Sequence, residues 1–216
     1  MAIRYIEAIR RPFTDAKKLL IGIILSIIPI VNFVTIGYWL ENARTAKTKA
    51  LKLPEWKNFG ALFVEGLVII LLGIIYSIPA FLVFYSILGK SVMQYFINVD
   101  AASIMMQETI ANLSSTGMAG LAVTGLLILL ASLLTPAAAL NYAAAKKNRF
   151  AAAFDFKKIF KGVFTNEYLL AWVGATLYTV IISGILSLVP YVGGPIATYV
   201  TGLTYYTLLG EVYSTK

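Results

Sequence analysis

The sequence predicts an all-α, polytopic membrane helix bundle, and three observations carry that prediction. Hydrophobic residues make up 59% of the 216-residue chain and mean hydropathy is +0.81, above the roughly 45–50% apolar share of soluble domains. Charged residues account for only 13%, against the usual ~25%. Those charges gather in short basic belts, residues 44–59 and 146–161, set between long apolar runs. About four full spans are expected. With them go one kinked or re-entrant N-terminal apolar segment and several interfacial amphipathic helices, all in a single membrane domain over residues 1–216.

Residues 1–13 place Ile3, Ile6, Ile9 and Phe13 every three or four positions, with Arg4, Glu7, Arg10 and Arg11 between them. That spacing predicts an amphipathic helix lying in the interface rather than a cleavable signal, with Pro12 ending it. Residues 19–40 form the first apolar run, long enough as a helix, about 33 Å, to cross a ~30 Å core. Pro29 and Asn32 sit at its middle. Proline removes a helical hydrogen bond and the amide needs a partner away from lipid, so the run either kinks or turns back there. Charge counting favours the second. If the run turns back, 17 of the 18 basic residues lie on one side and only Lys90 on the other, the pattern that the positive-inside rule favours.

Residues 59–88 would span with tilt, a kink at Pro79, or an overhang. Residues 89–116, nearly free of basic residues, read as an external loop in which Val99, Ile104, Met105, Ile110 and Leu113 predict a short surface helix. Residues 117–145 span again and carry Pro136. Residues 167–189 cross outward, Pro190-Tyr191-Val192-Gly193-Gly194-Pro195 turns, and residues 191–213 return. Basic and aromatic residues recur in both belts: Pro54-Glu55-Trp56-Lys57-Asn58-Phe59 aligns with Phe154-Asp155-Phe156-Lys157-Lys158-Ile159. Duplicated halves, about 17–89 and 117–213, would form a parallel repeat, since both meet the membrane from one side. Similar interfacial chemistry without duplication gives the same pattern.

No histidine and no cysteine occur, which removes imidazole and thiolate ligands, nucleophiles and bases. The acids are scattered, and no glycine-rich phosphate loop appears. No catalytic, cofactor or metal site is expected, and the chain reads as non-enzymatic. Glu65 is the most informative charge, because a carboxylate within a span costs about 2.5–3.5 kcal/mol and faces protein or water. It either pairs with Lys57, Lys157 or Lys161 near the headgroups or handles a proton or cation. Pro54 suits the first turn of a helix, Glu55 complements that helix's positive end, and Trp56 anchors at the interface; Asp155 and Phe156 are expected to do likewise in the second belt. Asn32, Asn141, Thr124, Thr176, Thr179, Ser183, Thr198 and Thr201 are polar within spans; they either line a path or, as Ser and Thr in spans commonly do, bond their own helix or a neighbour.

Ile36-Gly37-Tyr38, Leu53-Pro54-Glu55-Trp56 and Phe59-Gly60-Ala61-Leu62-Phe63 running into Glu65-Gly66-Leu67 resemble an uncharacterised family of archaeal and bacterial membrane proteins, domain of unknown function 4013. The stretch from Pro136 through Leu140-Asn141-Tyr142 and the run Ala152-Ala153-Phe154-Asp155-Phe156 extend the resemblance over residues 17–213. It implies a multi-pass membrane fold and transfers no activity.

A net charge of +8 placed beside apolar runs points to anionic lipid headgroups at the cytoplasmic face, not to nucleic acid. The expected function is that of a lipid-interacting or partner-binding scaffold, with a protein partner or a second copy as possible company. The alternative is a small transporter or channel with Glu65 and the Pro29–Asn32 segment near its path.

Overall fold

In a computed structural model, residues 3–46, 52–97 and 114–213 are described, and every regular element among them is helical. The elements are α1 (Tyr5–Arg10), a 3₁₀ turn (Arg11–Phe13), α2 (Ala16–Ile27), α3 (Asn32–Thr45), α4 (Phe59–Ile97), α5 (Ser115–Ala144), α6 (Arg149–Ala152), α7 (Phe156–Val163), α8 (Asn166–Leu186) and α9 (Gly193–Val212). Three of the described helices, Phe59–Gly89, Ser115–Ala144 and Asn166–Leu186, are long and apolar enough to cross a membrane, with mean hydropathies of 2.7, 2.2 and 2.0.

The first apolar run is not one helix. Ile28 leaves the helical region, Ile30 is left-handed at φ 70°, and the Asn32 N–H closes the turn on the Ile28 carbonyl at 3.0 Å. α2 and α3 pack against each other as a hairpin, joined near the tip by Ser26 Oγ and Thr35 Oγ1, 3.2 Å apart. The α8–α9 hairpin repeats this tip. Pro190 precedes left-handed Tyr191 at φ 65°, and the Gly193 N–H bonds the Val189 carbonyl at 3.1 Å. Each hairpin also follows a short helix with an apolar outer stripe, α1 or α7, and begins at a side-chain cap. Asp15 accepts from the Lys18 N–H and Thr165 from the Tyr168 N–H. An N-terminal cap oxygen satisfies donors that the first helical turn cannot pair itself.

The chain divides into two compact units, residues 1–72 with 133–216, and residues 73–132. In the first, α9 is the central element, packed on α8, α3 and α2. Its Tyr199, Leu203 and Leu209 are fully buried, and its threonines Thr201, Thr204 and Thr207 turn their hydroxyls onto their own helix. A helix enclosed by others can carry threonine and glycine where a lipid-facing one carries leucine. α3 crosses α4 where a Cβ on Gly37 would collide with the Leu62 carbonyl, and one on Gly66 with that of Phe33. Only glycine allows so close a backbone approach.

The second unit holds the later part of α4 and the earlier part of α5. Ile87 fills the space that Gly120 leaves open, and Phe81 stacks with Tyr85 at 6.0 Å. α4 carries Pro79 inside it and continues to Ile97. The candidate span within it, Phe59–Gly89, ends one residue from the expected residue 88, but Gly89 and the polar residues after it do not break the helix. The expected surface helix falls on residues 98–113, outside the described residues.

Candidate functional site

At the start of α4, Glu65 sits beside the Gly37–Gly66 crossing and is 7% exposed. Arg44, in the last turn of α3, meets it with two parallel bonds: Nη1 donates to Oε2 at 2.9 Å and Nη2 to Oε1 at 2.7 Å. Arg149, the first residue of α6, donates from Nη2 to Oε1 at 2.7 Å. Arg44 Nη1 also reaches Glu41 at 2.7 Å. The planar guanidinium fork matches a carboxylate in this bidentate way, which a lysine cannot do. The Arg149 guanidinium lies 4.3 Å above the centre of the Tyr142 ring, which fixes its plane.

Both arginines also serve the C-terminal end of α5. Arg149 Nε donates to the Tyr142 carbonyl at 3.3 Å, and Arg44 Nε reaches toward that of Ala143 at 3.5 Å. The last carbonyls of a helix lack intrahelical partners and carry its partial negative charge, so cations there are stabilising. Arg4 does the same for α3, donating to the Ala46 carbonyl at 3.0 Å while pairing with Glu211 at 2.6 Å. The Glu211 carboxylate holds the Arg4 guanidinium above its ordinary range. Arg11 is buried, donates to Thr45 Oγ1 at 2.5 Å and to the Lys52 carbonyl at 3.3 Å, and is pushed below its ordinary range by burial.

The structure therefore corrects the partners expected for Glu65. Lys57, Lys157 and Lys161 are exposed and pair with no carboxylate among the described residues, while one arginine from each belt takes the site. Three donated N–H groups occupy both carboxylate oxygens, so the group is a structural anion that ties α3, α4 and α6 together.

The Leu53-Pro54-Glu55-Trp56 segment also departs from expectation. Residues 52–58 are not helical, and α4 begins only at Phe59, after left-handed Asn58. Pro54 is thus in no first turn, and Glu55 complements no helix end. Distant partners override the local preference. Glu55 accepts from Lys18 Nζ at 2.6 Å, and the Pro54 carbonyl accepts from the Tyr38 hydroxyl at 2.6 Å. Trp56 stacks on Tyr38 with ring centres 3.8 Å apart, and its Nε1 donates to the Lys18 carbonyl at 3.3 Å. The Tyr199 hydroxyl donates to that same carbonyl at 3.1 Å. The motif locks α2, α3 and α9 at one end of the bundle.

The second belt is built differently. Asp155 caps α7, accepting from the Lys158 N–H at 3.1 Å. Ile159 and Val163 are fully buried, whereas Phe156, Phe160 and Phe164, one turn apart, are exposed at 50%, 42% and 59%. Their rings form a continuous row, the last two stacked at 5.9 Å. Lys157 and Lys161 flank the row and are exposed. On α1 and the 3₁₀ turn after it, Ile6, Ile9 and Phe13 face outward in the same manner.

Pro29 and Asn32 lie in the α2–α3 tip, where the buried Asn32 Oδ1 has no hydrogen-bond partner among the described residues. Asn141 is likewise buried without a side-chain bond, while Thr124, Thr179 and Thr201 bond carbonyls of their own helices. Sequence reasoning missed Arg44, Arg149 and Asn42, whose Nδ2 donates to the Leu203 carbonyl and Thr207 Oγ1. The available signal was the use of arginine rather than lysine at 44 and 149. Among the described residues, no three acids converge to hold a metal ion.

The model of a family described as protein of unknown function (DUF4013) matches residues 21–191, and the chain belongs to that family. No curated protein and no solved structure matches it.

Proposed function

We propose that this DUF4013 family member is a multi-pass membrane scaffold, N-terminus and both belts cytoplasmic, whose lysine- and phenylalanine-bearing face binds anionic lipid headgroups. The observation that carries this reading is α7. Its inner side is sealed against the bundle by Ile159 and Val163, while Phe156, Phe160 and Phe164 project outward beside Lys157 and Lys161. An aromatic row flanked by lysines suits the depth where acyl chains give way to headgroups, and each cation near an anionic surface contributes about 1 kcal/mol. α1 presents a comparable stripe. α2 and α3, at 12 and 14 residues, reach about 18 and 21 Å, too short to cross; they enter and return as a re-entrant hairpin. α9, sheathed by α2, α3 and α8, is the fourth span. Glu65 is already neutralised by two arginines, so nothing in its setting favours the transport alternative.

Spin-labelled anionic and zwitterionic phospholipids test the reading in reconstituted bilayers. The protein immobilises the anionic probe preferentially, and Lys157→Gln/Lys161→Gln reduces that preference several-fold. An unchanged preference in the double variant overturns the proposal.

A further inference from the structure

The turn between α5 and α6, Ala145-Lys146-Lys147-Asn148-Arg149, places three cations within four residues. Lys146 and Lys147 are exposed, and no carboxylate pairs with either among the described residues. Arg149 spends its Nε and Nη2 on the Tyr142 carbonyl and Glu65, and its Nη1 has no protein partner among the described residues. Its plane is already fixed by the Tyr142 ring and the Glu65 carboxylate, so little rotamer freedom is left to lose on binding an anion. Counting Arg44, Lys146, Lys147 and Arg149 against Glu41 and Glu65, this corner carries two positive charges in excess.

Next to the turn lies an open cavity of about 240 Å³ lined by Ala43, Arg44, Leu140, Ala143, Ala144, Gly210 and Tyr213. Apart from Arg44 and the tyrosine, these walls are small and apolar. Arg44 stands in the cavity wall, and Ala143 and Ala144 join it in sequence to the cationic turn. An apolar-walled slot next to cations is complementary to an amphiphile with an anionic head, whereas a free inorganic ion would use the cations alone.

We propose that this corner holds one anionic phospholipid. Its phosphate is bound by Lys146, Lys147 and the free edge of Arg149, and its glycerol and first acyl carbons occupy the slot. The inference rests on the lipid-facing reading above but names a different place, the α5–α6 turn rather than α7.

Native mass spectrometry of the detergent-purified full chain, titrated with dioleoyl phosphatidylglycerol, tests it. The wild-type chain retains one lipid molecule. Lys146→Gln/Lys147→Gln weakens that binding by about tenfold or more, and Ala144→Leu, which fills the slot, also lowers occupancy. Both substituted sites are exposed, so folding is preserved, and an unchanged thermal midpoint confirms it. Millimolar inorganic phosphate leaves the lipid in place; displacement by phosphate marks a plain anion site and overturns the proposal. Undiminished occupancy in both variants overturns it as well. Lys157→Gln/Lys161→Gln keeps the single lipid. If that variant also keeps its preference for anionic lipid in bilayers, the α7 reading falls while this site stands.

Discussion

At Glu65 two arginines turn inward, whereas on α7 the lysines turn outward, and both groups come from belts that look alike in sequence. Arg44 and Arg149 each satisfy a carboxylate and approach a helix-terminal carbonyl. Lys157 and Lys161 meet no acid among the described residues and stand beside exposed phenylalanine rings. The difference follows from the side chains. A guanidinium is weakly hydrated and presents a rigid fork, so it tolerates partial burial; an ammonium is strongly hydrated and stays with water or headgroups. Arg4 and Arg11 follow the inward pattern, and Lys17, Lys52, Lys57, Lys146 and Lys147 the outward one. Arg10 is exposed, and Lys18 is turned in by Glu55. Positive charge in this chain is thus of two kinds, one tied into the bundle and one exposed on its surface.

Removing the carboxylate breaks the inward side of the comparison most severely. Glu65→Gln leaves two guanidiniums crowded without their shared anion and is expected to cost about 2–3 kcal/mol, below the 3–5 kcal/mol of a fully buried pair because both arginines are partly exposed. Thermal unfolding in detergent reads it. Replacing all three members together, Glu65→Leu with Arg44→Met and Arg149→Met, recovers most of that loss if the centre is structural. A triple variant as unstable as Glu65→Gln contradicts the assignment.

Trp56→Ala comes next. The indole is half-buried, stacked on Tyr38 and bonded to the Lys18 carbonyl, so about 2 kcal/mol is expected, under the 3–5 kcal/mol of a fully buried tryptophan. Trp56→Phe, which keeps the ring but not the donor, separates the stack from the hydrogen bond. Equal losses in the two variants would place the whole effect in the hydrogen bond.

The smallest effect concerns the cap of α2. The Lys18 backbone N–H holds the Asp15 carboxyl below its ordinary 3.8. A folded value lower than the unfolded one means that the cap's contribution is complete above about pH 5 and is lost as pH falls through the folded value. Asp15→Asn should flatten the acid limb of the unfolding curve while leaving stability near pH 7 almost unchanged. An identical acid limb in wild type and variant would show that this cap does not titrate with folding.

Much of the architecture was legible because the bilayer imposes length and apolarity. The three long helices follow from runs no soluble segment would carry, and the break at Pro29 and Asn32 follows from a missing donor and a polar amide. Asp155 as a cap was readable from its place before an amphipathic turn. What escaped were pairings between distant parts of the chain. Glu65 and Arg149 are 84 residues apart, and no local periodicity tells which of several nearby cations will reach a carboxylate. The Leu53-Pro54-Glu55-Trp56 segment misled for the same reason: proline and a following acid favour a helix start, but contacts with Tyr38 and Lys18 hold this segment outside any helix. The end of α4 was misplaced because polar residues signal departure from lipid, not the end of a helix.

The division between inward arginine and outward lysine is tested most directly by thermal unfolding of two charge-matched variants. Arg44→Gln/Arg149→Gln and Lys157→Gln/Lys161→Gln each remove two positive charges. The first should lose about 2–4 kcal/mol, since a largely buried carboxylate is left unpaired, and the second no more than about 0.5 kcal/mol, as for other surface substitutions. Equal losses, or a larger loss in the lysine variant, would contradict the account.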